Sequence, residues 1–106
     1  ANALINRIEN AEFFLGNASS IFDEIRKDDK EYSLVIDPPR KGCDENFLMQ
    51  TLSFKPKRII YVSCDPATQA RDAKILVDGG YQITEVQPFD LFPQTRHVEN
   101  IVTFVR

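Results

Sequence analysis

Apolar positions along the chain fall into short runs separated by polar turns, and their spacing switches between two periods. Ile59-Ile60-Tyr61-Val62 is an unbroken apolar run and predicts a buried strand from Arg58 to Ser63. Ser33 to Ile36 predicts a second buried strand, ending at Asp37-Pro38-Pro39. Tyr81 to Gln87 alternates apolar and polar residues and predicts a strand with one wet face. Asn100 to Val105 predicts the last strand, and Ala11 to Leu15 a short one near the start. Between them the spacing becomes helical. Ala1 to Glu9 predicts a helix with Ala3, Leu4 and Ile8 inward, and no N-cap precedes it. Ser20 to Lys27 predicts a helix with Ile21, Phe22 and Ile25 on one side, followed by the solvated run Asp28-Asp29-Lys30-Glu31. Asp44 is placed to cap a helix reaching about Ser53 that buries Phe47, Leu48 and Leu52, and Lys55-Pro56-Lys57 is a turn. Pro66 to Asp78 predicts a helix with Ala70, Ala73 and Val77 inward, ended by Gly79-Gly80. Strands alternating with helices predict an α/β fold with a mostly parallel sheet.

Composition narrows the class without naming a function. A length of 106 residues leaves room for one domain, and 42% apolar content is ordinary for a globular chain. No apolar run is long enough to span a membrane, and no secretory-type segment opens the chain. Cys43 and Cys64 form neither a metal spacing nor a disulfide framework, so no metal is expected and a reduced, intracellular protein is the simpler reading. The net charge of −3 does not by itself suggest a nucleic-acid binder.

Candidate chemistry gathers in three places. Cys64 sits where a buried strand ends and a helix begins, because Asp65 suits the N-cap and Pro66 the first helical position. Ligands in open α/β sheets bind at the carboxyl ends of strands, and a thiol there meets the positive end of a helix dipole, which favours thiolate. The second place is Asp37-Pro38-Pro39-Arg40-Lys41-Gly42, where two prolines end the sheet and stiffen a loop. Asp37 reads equally as a turn or capping acid, and Arg40 and Lys41 as solvated charges or phosphate contacts. The third is Phe89-Asp90-Leu91-Phe92-Pro93-Gln94-Thr95-Arg96-His97-Val98-Glu99-Asn100, a loop dense in aromatic and polar groups. Taken alone, Glu99 reads as an exposed acid at a strand start, His97 as a surface or core-edge histidine, and Phe89 and Phe92 as core. Cys43 reads as structural or incidental.

The segments DPPRKG, YVSCDPATQARD and DLFPQTRHVEN, in this order, resemble the S-adenosylmethionine-dependent RNA uridine-5-methyltransferases. The pattern is most similar to the tRNA (uracil-5-)-methyltransferases of fungal type, and the likeness covers essentially the whole chain. Asp65 departs from the family, many members of which have Asn there. The resemblance implies the C-terminal half of a Rossmann-like class I methyltransferase sheet, mostly parallel with an antiparallel last strand.

The resemblance also implies a reaction. Carbon 5 of uracil is a weak nucleophile until a thiolate adds to carbon 6 and makes the ring an enolate. The family's nucleophile matches Cys64, and the general base that later removes the carbon 5 proton matches Glu99. The residue matching Asp37 lies beside cofactor and substrate, and Gly16, Asn17 and Ala18 are candidates for the adenine contact. Arg40, Arg96 and Phe92 are candidates, by residue type alone, to hold a flipped-out RNA base and its phosphates. The expected partners are tRNA and the rest of the same polypeptide, with no membrane, in the cytoplasm or nucleus. None of the four glycines, Gly16, Gly42, Gly79 and Gly80, forms the Gly-rich cofactor turn of this fold. The chain is therefore expected to be the C-terminal part of a longer enzyme, inactive alone, with Ala11 to Leu15 deprived of its family neighbours. Two alternatives stay open: an rRNA uridine-5-methyltransferase, and a non-catalytic α/β interaction fragment.

Overall fold

A computed structural model of the 106-residue chain describes residues 2–7, 12–17, 32–38, 41–89 and 99–106. In chain order the elements are β1 (Asn2–Arg7), β2 (Glu12–Asn17), β3 (Tyr32–Asp37), α1 (Glu45–Phe54), β4 (Arg58–Ser63), α2 (Pro66–Asp78), β5 (Gln82–Phe89) and β6 (Glu99–Val105). The six strands form one sheet in the order β2-β1-β3-β4-β6-β5.

The two helices form where the sequence calls for them. The Asp44 side chain accepts from the Asn46 N–H at 2.8 Å and opens α1. Lys55, in the left-handed region at φ 59°, closes it by donating its N–H to the Thr51 carbonyl. Asp65 caps α2, with Pro66 in its first turn. Both helices pack on the sheet face that carries Leu34, Ile36, Ile59, Tyr61 and Phe104, and Phe47, Leu48 and Leu76 complete that core. Alternate residues of β3 and β4 are half-buried on the opposite face.

Three expectations need correction. The segment read as a helix over 1–9 is strand β1, which pairs antiparallel with β2 on one side and β3 on the other. An uncapped nine-residue helix is marginal in water, whereas two ladders satisfy the backbone on both sides. β2 therefore has a neighbour, supplied by that same segment.

The sheet is mixed rather than mostly parallel. Only β3 and β4 pair in parallel, and the other four pairings are antiparallel. The register still makes β2, β3, β4 and β5 run in one direction, because β1 and β6 are the reversed strands set between them. The antiparallel last strand agrees with expectation.

The buried face of α2 is also displaced by one position. Gln69, Asp72 and Leu76 are buried, while Ala70 and Val77 are exposed and Ala73 is half-buried. The helix expected over 20–27 lies outside the described residues.

Candidate functional site

The common direction of β2, β3 and β4 brings their carboxyl ends to one edge of the sheet. Asn17 ends β2, Asp37 ends β3 and Ser63 ends β4, with Cys64 next in the chain. Asn2 of β1 pairs with Asn17 on one side and Asp37 on the other, so Gly16 and Asn17 stand two strands from Asp37. On the β3–β4 ladder, Ile36 is level with Tyr61, so Asp37 is level with Val62, two residues before Cys64.

The turn at Cys64 is built by its neighbours. The Ser63 hydroxyl accepts from the Asp65 N–H at 3.0 Å and donates to the Asp65 carbonyl at 3.1 Å, bracketing the cysteine. The Asp65 carboxylate is engaged by the N–H groups of Ala67 (3.1 Å) and Thr68 (3.3 Å). The Thr68 hydroxyl donates to the Asp65 carbonyl at 3.2 Å. Ser63 is buried and Cys64, held between two fixed residues, is exposed.

The antiparallel ladder of β4 and β6 ends beside Cys64 and Glu99. Its last pair is Ser63 with Asn100, and residues directly opposite in such a ladder lie about 4.5–5.5 Å apart at Cα. One step further, Cys64 follows Ser63 and Glu99 precedes Asn100. The two residues singled out from the sequence as nucleophile and base thus each lie one residue from the Ser63–Asn100 pair.

Behind this edge lies a buried polar cluster that the apolar pattern did not reveal. Asp72 is fully buried, and its Oδ2 accepts from the Tyr61 hydroxyl at 2.6 Å and from the Cys43 N–H at 2.7 Å. Its Oδ1 accepts from Arg71 Nε and Nη2 at 3.2 Å, and Arg71 Nη2 also donates to the Lys41 carbonyl at 2.8 Å. Gly42, at φ +87°, fits against this cluster, where a Cβ would lie 2.5 Å from Arg71 Nη2 and 2.8 Å from Asp72 Oδ2. The loop after β3 is thereby tied to the helix that starts beside Cys64. Burial, and then the nearby Asp72, push the Cys43 thiol up to about 12, and burial with the Asp72 hydrogen bond pushes the Tyr61 hydroxyl up as well. Cys43 is half-buried beside this cluster, and Cys64 is exposed.

Gln69 was also missed. It is 2% exposed, and its Nε2 donates to the carbonyls of Tyr61 (3.2 Å) and Asn100 (3.0 Å) while its Oε1 accepts from Asn100 Nδ2 at 3.0 Å. Polar residues at 69 and 72 alternate with the apolar Leu76 on one helical face, and that spacing was the available signal. Ala18, Arg40, Phe92, Arg96 and His97 lie outside the described residues. Among the described residues no helix is long and apolar enough to cross a membrane, and no three His, Cys, Asp or Glu side chains gather as a metal site.

A mixed α/β sheet with an exposed thiol just past the carboxyl end of β4, next to the start of β6, defines a protein with a candidate site at that edge. Comparison with known proteins gives the family. The chain belongs to the tRNA (uracil-5-)-methyltransferase family, whose model matches residues 17–106. It is 50% identical over 106 residues to an uncharacterized RNA methyltransferase of Bacillus cereus, covering 99% of this chain and 23% of that protein. It is 48% identical over 109 residues to a tRNA (uracil(54)-C(5))-methyltransferase of Schizosaccharomyces pombe, covering 99% of this chain and 21% of that protein. The crystal structure of the Pyrococcus abyssi tRNA (uracil-54, C5)-methyltransferase in complex with S-adenosyl-L-homocysteine matches with TM-score 0.63 and 41% identity. That match covers 69% of this chain and 18% of the archaeal one. The chain spans about a fifth of the length of the curated relatives it matches, at 23% and 21% of the first two.

Proposed function

We propose that this chain is the C-terminal part of the catalytic domain of an S-adenosylmethionine-dependent methyltransferase acting on carbon 5 of a uridine in the T-loop of tRNA. The observation that supports the reading is the Ser63–Asn100 pair at the end of the β4–β6 ladder, with Cys64 next after Ser63 and Glu99 next before Asn100. The S. pombe and P. abyssi relatives, both described as acting on uracil 54 of tRNA, favour tRNA over rRNA.

In this reading the Cys64 thiolate adds to carbon 6 of the target uracil, and the displaced electron pair makes the ring an enolate that is nucleophilic at carbon 5. S-adenosylmethionine, when bound, supplies the methyl group that carbon 5 takes. Glu99 then removes the proton from carbon 5, the 5,6 double bond re-forms, and the thiolate leaves. Ser63 and Asp65 hold the Cys64 turn rigid, which favours a reproducible attack geometry.

The donor set at this edge fits such a cofactor. Asp37 offers an exposed carboxylate beside the buried Pro38, and the end of β2 offers backbone groups at Gly16 and Asn17 on the same side. Ala18 extends that segment, and Arg40, Arg96 and Phe92 are proposed RNA contacts. The remaining cofactor-binding strands and any RNA-binding domain belong to the rest of the polypeptide, and an intracellular location in the cytoplasm or nucleus follows from an RNA substrate.

The test uses Glu99→Gln in the full-length polypeptide. The amide keeps a hydrogen-bonding group but cannot take the carbon 5 proton, so a denaturation-resistant protein–RNA complex accumulates on a denaturing gel. Normal product release at the parent rate means that the base lies elsewhere.

A further inference from the structure

We propose that Gln69 is a positioning residue, whose side-chain amide fixes the start of β6 so that Glu99 keeps a set distance from Cys64. This rests on the methyltransferase reading above. One amide meets the three elements that converge on the reacting edge. Gln69 belongs to α2, whose cap begins one residue after Cys64. Its Nε2 donates to the carbonyl of Tyr61 in β4, three residues before Cys64, and to the carbonyl of Asn100 in β6, the residue after Glu99. Its Oε1 accepts from Asn100 Nδ2, so the contact with Asn100 is reciprocal.

Every polar atom of the Gln69 side chain is thereby used, at 2% exposure. Three features separate this from an ordinary core amide. Two of the bonds link residues 31 apart in the chain and the third links residues 8 apart, so local helix structure does not supply them. They act at the end pair of the β4–β6 ladder, Ser63 with Asn100, where a strand end otherwise opens most readily. They also hold Asn100 by both its main chain and its side chain, which fixes the direction in which the chain enters β6 at Glu99. A base that abstracts a proton from carbon must be held within a narrow range of geometry; Glu99 pairs with Phe89 of β5, and the Gln69 bonds hold the strand on its β4 side.

The two half-reactions separate this role from general stability. Adduct formation needs Cys64, and release of the adduct needs Glu99. RNA carrying 5-fluorouridine cannot lose its carbon 5 substituent as a proton, so it traps the adduct and reports the first half alone. In the full-length polypeptide, Gln69→Met keeps the side-chain length and removes all three hydrogen bonds. The expected result is a fall in turnover on uridine RNA of about 10- to 100-fold, with covalent complex accumulating. The rate of trapping by 5-fluorouridine RNA is expected to be unchanged. Asn100→Ala removes only the Nδ2 contact and is expected to shift the same balance by less, and it carries the test if Gln69→Met does not fold.

Equal losses of turnover and trapping, or no change in either, overturn the positioning role and leave the methyltransferase reading standing. Cys64→Ser tests that reading separately, since an adduct that survives in this variant sinks it.

Discussion

Replacing Asp72 tests the claim that a buried carboxylate ties the loop after β3 to helix α2. Asp72→Ala would leave the Tyr61 hydroxyl and the Cys43 N–H without their acceptor, 2.6 and 2.7 Å away in the parent. Each unmet buried donor costs about 1–3 kcal/mol, so the pair costs about 2–6 kcal/mol. Set against a typical total of about 5–15 kcal/mol, that loss threatens folding outright. Asp72→Asn is therefore the working variant. Its remaining carbonyl oxygen can serve Tyr61 and Cys43 if the new NH2 turns toward Arg71, whose side chain is 56% exposed and can move into water. The variant then loses charge rather than buried partners. Charge-assisted hydrogen bonds are about twice as strong as neutral ones, and the expected loss is about 1–2 kcal/mol.

Urea unfolding followed by far-ultraviolet circular dichroism measures the loss, with the slope expected to stay constant. Tyr61→Phe in the same assay removes one donor and should cost about 1 kcal/mol. The double variant should cost less than the sum, because the two changes share one bond. An Asp72→Asn midpoint indistinguishable from the parent refutes the anchoring role.

Gly42→Ala should lower the thermal midpoint by more than the few degrees expected of a surface change, since its Cβ would collide with Arg71 and Asp72 at φ +87°. A normal midpoint would show that the loop yields freely. At pH 8 a thiol reagent should modify the exposed Cys64 first and Cys43 slowly, and Cys64→Ser should abolish the fast phase. Two equal rates would contradict this. The Cys43 thiol ionises near 9.0 when unfolded and near about 12 when folded. The unfolded chain therefore binds fewer protons in that window, and stability falls as pH rises from 9.0 toward 12. Burial also raises the Tyr61 and Tyr81 hydroxyls from 10.0, so Cys43→Ala should reduce the loss chiefly between pH 9.0 and 10.0, and an unchanged slope of urea midpoints in that interval would rule Cys43 out as its source.

Much of the helical pattern is readable from local chemistry. Asp44, Asp65, Pro66 and the Gly79-Gly80 stop are short-range signals, and both helices form where those residues place them. The apolar run over 58–63 is a strand whichever partner it takes. The reading failed where long-range pairing decides the outcome. Residues 2–7 become β1 because β2 and β3 are available on either side, and no propensity within the segment encodes that. The inward face of α2 was assigned to Ala70, Ala73 and Val77 because apolar residues mark a core. The helix instead turns Gln69 and Asp72 inward, because Asn100, Tyr61 and Cys43, at separations of 31, 11 and 29 residues, satisfy them. Cys64 is marked by its place between a strand end and a helix cap, Glu99 as a base only by motif resemblance, and that both flank the Ser63–Asn100 pair is visible only in the β4–β6 register.

The most direct measurement of the central claim is covalent trapping of the full-length polypeptide on tRNA carrying 5-fluorouridine, in the presence of S-adenosylmethionine, with the linked peptide identified by mass spectrometry. The adduct is expected on the peptide containing Cys64 and is expected to vanish in Cys64→Ser. An adduct on any other residue, or methylation of tRNA that persists in Cys64→Ser, would contradict the account.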